Sequence, residues 1–127
     1  MTGFVGNIEE LTLANSYFRK VIYTGQHAQL VVMNLQPNED IGQEVHEIVD
    51  QFLRIEQGQG TVEMNGEKQE IKEGSAFIVP AGTTHNVVNT STDQELKIYT
   101  VYSPPHHKDG TIHKTKQEAE ADNQDHI

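Results

Sequence analysis

A chain of 127 residues and 14.3 kDa is long enough for one hydrophobic core and too short for two. Its 19 acidic against 9 basic side chains give a formal charge of -10, which repels phosphate backbones and anionic headgroups and argues against nucleic-acid and membrane partners. Cysteine is absent, so disulfides and thiolate metal sites are excluded and any bound metal must take nitrogen and oxygen donors.

The first residues carry no basic start and no apolar run of signal-peptide length, and no later stretch approaches a membrane span, so a cytoplasmic protein is expected. Phe4, Val5, Ile8, Leu11 and Leu13 are too many apolar side chains for a free tail. An arm over residues 1–15 is therefore expected to pack on the body of the domain or on a second subunit. Tyr17 to Tyr23 and Ala28 to Leu35 are β-branched and aromatic-rich around Thr24-Gly25-Gln26, which predicts two strands and a turn. Asp50 to Glu56 alternates, with Gln51, Leu53 and Ile55 on one face and Phe52, Arg54 and Glu56 on the other; a glutamine in phase with Leu and Ile points inward. Gly60 to Met64 and Glu67 to Lys72 flank Asn65-Gly66, the strongest short hairpin signal. Ala76 to Val79 is a short apolar strand ended by Pro80, a further strand starts at His85, and Leu96 to Tyr102 ends at Pro104-Pro105. Many short strands with frequent turns predict an all-β sandwich or closed barrel over residues 16–103. Residues 104–127 turn polar, and Thr115-Lys116-Gln117-Glu118 fits a capping box for a helix over Lys116 to Ala121, with a disordered tail as the alternative.

The segment from Gly74 to Asn89 reads G-x5-P-x-G-x2-H-x3-N. Pro80 stops a strand, Gly82 permits the positive φ of a reversal, and His85 is delivered at the mouth of the next strand. This spacing resembles the second motif of the cupin superfamily at Gly74, Pro80, Gly82, His85 and Asn89. Upstream, Glu44, His46, Gln51 and Gly58 form E-x-H-x4-Q-x6-G, similar to the first cupin motif with two departures: Glu44 stands at the first histidine position and Gln51 at the glutamate position. The resemblance runs over residues 29–103. It implies a double-stranded β-helix, or jelly-roll barrel, with one divalent metal (Mn, Fe, Co, Ni or Zn) held in the lumen by Glu44, His46, Gln51 and His85. Strand period two would let Glu44 and His46 address one point.

Small bacterial barrels of this kind are often labelled mannose-6-phosphate isomerase-like. The resemblance thus implies action on a small oxygen-rich metabolite, such as a sugar or sugar phosphate; the alternatives are a metal-dependent dioxygenase and a non-catalytic small-ligand binder. A sugar phosphate needs basic anchors, and the strands offer chiefly Arg54 and Lys97. Glu47, Asp50, Tyr99, His106 and His107 are candidate acids or bases near the mouth, although the two histidines read more simply as part of a solvated tail. Outward-facing Phe52 and the apolar arm predict a homodimer.

Overall fold

The computed structural model describes residues 2–122. Two antiparallel sheets face one another as a jelly-roll sandwich. The strands are β1 (Arg19–Thr24), β2 (Gln29–Leu35), β3 (Asp50–Gln57), β4 (Gln59–Met64), β5 (Glu67–Lys72), β6 (Ala76–Val79), β7 (His85–Asn89), β8 (Leu96–Ser103) and β9 (Ile112–His113). One sheet has the order β6-β3-β8-β2-β1-β9 and the other β5-β4-β7.

Alternation decides what fills the space between the sheets. Leu53 and Ile55 of β3, Leu96 and Ile98 of β8, Val31, Met33 and Leu35 of β2, Val62 of β4 and Val87 of β7 point inward and are almost fully buried. Truncating one of these to alanine costs about 2–5 kcal/mol. The expected inward phase of Gln51, Leu53 and Ile55 is observed, with Phe52, Arg54 and Glu56 on the other face. Toward one end of the sandwich the same inward phase supplies polar groups: Gln51, Tyr102 and Gln29 lie in register across β3, β8 and β2, with Thr100 at the preceding inward position of β8. The pairing of β4 with β7 requires a bare backbone at Gly60, where a Cβ would lie 2.1 Å from the Val88 carbonyl oxygen.

Two helices flank the strands, α1 (Ile8–Ala14) and α2 (Lys116–Ala121). The N-terminal arm folds onto its own barrel: α1 lies against β8, β3 and β2 on the outer face of the larger sheet, where Leu11 and Ala14 share a hollow with Ile22 and Val32. This cover explains why Val32 is fully buried although its inward neighbours are Val31 and Met33. Asn7 caps α1 by accepting from the Glu10 amide, and the Lys97 ammonium, buried behind the helix, donates to the Asn15 carbonyl at 2.6 Å. Helix α2 forms as expected, with Thr115 as its N-cap accepting from the Glu118 amide. Beyond the expected elements, β9 pairs with β1 and extends the larger sheet.

The first-motif segment departs from expectation. Glu44 and His46 do not lie on a regular strand; Asp40 and Glu44 form isolated bridges to Val88 and His85 at the free edge of β7. Pro37, Asn38 with φ 65° and Gly42 with φ 100° interrupt the ladder on this stretch.

Candidate functional site

The second motif works as a local scaffold. Gly74 and Gly82 both have positive φ, 90° and 82°. The Gly82 amide donates to the His46 carbonyl at 2.8 Å, so the Pro80–Gly82 reversal fixes the backbone of the first motif. His85 and Glu44 exchange both backbone hydrogen bonds at 2.8 Å. Asn89 closes the motif structurally, its amide nitrogen donating to the carbonyls of Leu35, Gln36 and Gln94. The motif's asparagine is thus a clamp between strand ends.

His85 is buried, and its Nδ1–H donates to the Thr83 carbonyl at 3.0 Å, which leaves the lone pair on Nε2. Burial is the chief reason that its imidazole titrates below the ordinary value, so it is neutral near pH 7; the neighbouring His46 acts in the same direction. Its ring centre lies 5.2 Å from that of His46, itself buried. The Nε2 of His46 meets Glu44 Oε2 at 3.2 Å. Burial pushes the Glu44 carboxyl up, but the hydrogen bond from His46 and the charges around it outweigh this, and Glu44 is held below the usual carboxylate value. Glu44, His46 and His85 therefore stand together. Glu44 and His46 are brought within hydrogen-bonding distance of each other by an isolated bridge to β7 and not by the expected regular strand. Among the described residues no three His, Asp or Glu side chains stand in a metal-holding group.

Gln51 supplies the other decisive observation. Its Nε2 donates to Thr100 Oγ1, which in turn donates to the Phe52 carbonyl, while its Oε1 is buried without any partner. An amide oxygen of this kind carries a desolvation cost of about 1–3 kcal/mol until something binds it. Gln51 is paired in register with Tyr102, whose ring stands 6.0 Å from that of His46. An orphaned amide oxygen, an imidazole with its lone pair free and a carboxylate–histidine pair are together a nitrogen and oxygen donor set suited to a borderline divalent ion.

The mouth is lined by groups outside the expected set. His106 packs over His46 at 4.2 Å between ring centres and stacks on Tyr102 at 5.6 Å, and His107 is buried with its Nε2 3.2 Å from the Tyr102 hydroxyl. The solvated-tail reading of these histidines is corrected. Fully buried Gln29 holds them in place: its amide oxygen accepts from the amides of His106 and His107, and its nitrogen donates to the His107 carbonyl at 2.7 Å. Tyr102 was legible from the alternation of Leu96, Ile98 and Thr100, and Arg19 from its phase with Val21, whereas the Gln29 clasp has no sequence signal. Tyr99 lies outside against Phe52, and Asp50 accepts from the Ala81 amide at the turn, which removes Tyr99 from the mouth and gives Asp50 a structural task. A cavity of about 380 Å³ is bounded by Arg19, Gln43, Glu44, His46, His106 and Glu120, among others, while His85 borders an adjoining hollow of about 270 Å³ that shares Gln43. A hollow of about 470 Å³ over Gln59, Thr61, Glu70 and Lys72 contains no histidine.

Residues 31–102 match the family described as Cupin domain. The chain is 48% identical over 124 residues to YrkC, an uncharacterized protein of Bacillus subtilis (strain 168), covering 93% of this chain and 66% of the relative. It thus spans slightly less than two thirds of that relative's length. L612, an uncharacterized protein of Acanthamoeba polyphaga mimivirus, is 44% identical over 86% of this chain and 70% of its own. The crystal structure of BH2720 from Bacillus halodurans superposes with a TM-score of 0.91 at 45% identity, over 94% of each chain.

Proposed function

Because the chain belongs to the cupin family, we propose that its barrel end holds one divalent transition metal through Glu44, His46, Gln51 and His85, and acts on a small oxygen-rich metabolite by moving a proton. The observation that carries the reading is the buried Oε1 of Gln51, partnerless among the described residues and on a residue in register with Tyr102, whose ring stands 6.0 Å from that of His46. A bound ion would polarise a substrate oxygen and lower the pKa of the adjacent C–H or O–H. The chain's own residues supply the rest. Gln51 and His85 are fixed by Thr100 and Thr83 before any ligand arrives. His106 and His107, clasped by Gln29, line or adjoin the cavity and are proton carriers outside the ligand set. Such a pair is what separates an isomerase-type enzyme from a passive binder.

Sugar phosphates are poorly served by the anchors that the sequence offered. Lys97 is spent on Asn15 and Glu95, and Arg54 lies on the outer face beside Glu56. A non-catalytic binder remains the second reading, favoured by the Glu44–His46 hydrogen bond, which occupies two of the four donors with each other. The test is proton exchange in heavy water. Metal-loaded protein incubated with hydroxy-ketones and hydroxy-acids should introduce deuterium at the carbon beside the carbonyl or carboxyl, read by proton NMR, and His106→Ala should slow this by about 100-fold or more. Binding of these compounds without exchange would favour the passive barrel. We further propose a homodimer, formed through the apolar outer face at the β6 edge.

A further inference from the structure

Arg19 is the strongest charged feature of the cavity that no role yet accounts for. It is only 5% exposed. Its Nη1 donates to His113 Nδ1 at 3.2 Å, and His113 Nε2 in turn meets Asp122 at 2.9 Å; the arginine therefore faces the lone pair of an imidazole and reaches a carboxylate only across that ring. Its Nε is buried without a partner, Nη2 has no hydrogen bond among the described residues, and no carboxylate of those residues lies within ion-pair distance of the guanidinium. The Phe18 ring lies 5.2 Å from the guanidinium carbon. A guanidinium cannot shed its charge to relieve burial; Glu44 stands near enough to feel that charge but beyond ion-pair distance, so the compensation is partial and an anion in the cavity would complete it.

We propose that Arg19 anchors a carboxylate of the ligand, so that the substrate of this cavity is a small oxygen-rich carboxylic acid. Glu44 and Glu120 line the same cavity, and the protein carries a formal charge of -10, so a phosphate dianion is repelled more strongly than a carboxylate monoanion. A planar carboxylate also matches the guanidinium fork in shape, which a neutral sugar does not. The inference rests on reading this cavity as the functional site, with the acid's remaining oxygens directed toward Glu44 and His46.

The test pairs acids with the polyols that differ by one group: gluconate with sorbitol, and lactate with propane-1,2-diol. Calorimetric titration would be run on manganese-loaded and metal-free protein in parallel, with inorganic phosphate as a third ligand. Wild type should prefer each acid over its polyol by about tenfold or more. Arg19→Met should abolish that preference while keeping polyol affinity and metal content, and His113→Ala, which removes the structural partner but keeps the guanidinium, should retain the preference. Should Arg19→Met fold poorly, the wild-type preference and a shift of the Arg19 Nε–H resonance on gluconate addition still decide the matter. The proposal is overturned by equal affinity for acid and polyol, by tighter binding of phosphate than of gluconate, or by His113→Ala losing the preference as Arg19→Met does. Failure to take up manganese would sink the metal reading alone, since the metal-free titration judges Arg19 separately.

Discussion

At the scale of single residues, the site turns on how Glu44 and Gln51 divide one task. Glu44 is the only carboxylate of the proposed ligand set, and in the protein without an ion it is engaged by His46. Glu44→Gln removes the set's negative charge, and metal affinity should fall by on the order of 100-fold or more, because the ion's charge is then uncompensated in a poorly solvated cavity. Gln51→Glu should act in the opposite direction and tighten binding. It also removes the amide donor to Thr100 Oγ1, so this variant should melt lower than wild type when metal-free and regain stability with metal. Titrating both variants with manganese or zinc compares them directly; wild-type affinity in Glu44→Gln would mean that the carboxylate is no ligand and that the site consists of His46, His85 and Gln51.

At the scale of elements, the C-terminal segment is latched over the site by polar contacts. Lys116 of α2 pairs with Asp40, which also accepts from Asn86 at 2.9 Å. Burial raises the Asp40 carboxyl, but the bonds from Lys116 and Asn86 outweigh it and hold the group below its ordinary 3.8. A depressed carboxyl contributes stability that is complete above the ordinary value and is lost as pH falls through the lowered one. Both partners are partly exposed, so the contribution is at most about 1 kcal/mol. The protection factors of the α2 amides, referred to intrinsic exchange at each pH, should therefore fall below about pH 4, and Asp40→Asn should show lowered protection at neutral pH with little further change on acidification. An acid response as steep in Asp40→Asn as in wild type would locate the latch elsewhere. The strands were legible because period-two burial and Asn65-Gly66 leave local marks, and α2 because Thr115 and Glu118 stand at capping spacing. What escaped the sequence is non-local. The Asn7–Glu10 cap is a weak signal without knowing that β8 waits for a helix, and β9 exists only because β1 offers an open edge. His85 could be read from its turn, whereas His106 and His107 depend on Gln29, 77 and 78 residues away.

At the scale of the whole molecule, the arm's retreat onto its own barrel removes part of the apolar surface expected to drive association, but Ile78 on the β6 edge remains 59% exposed next to Phe52. An unpaired edge strand carrying such a side chain invites a second copy. Sedimentation at micromolar concentration should give a dimer, with Ile78→Lys shifting it to monomer; a monomeric wild type would mean that α1 alone suffices as cover. The central claim concerns the barrel's content, and metal analysis of protein purified without an affinity tag tests it most directly. One divalent transition metal per chain in the wild type, lost in a folded His85→Ala variant, is the expected result; wild-type protein free of metal after growth and dialysis with manganese and zinc, or His85→Ala with an undiminished load, would contradict it.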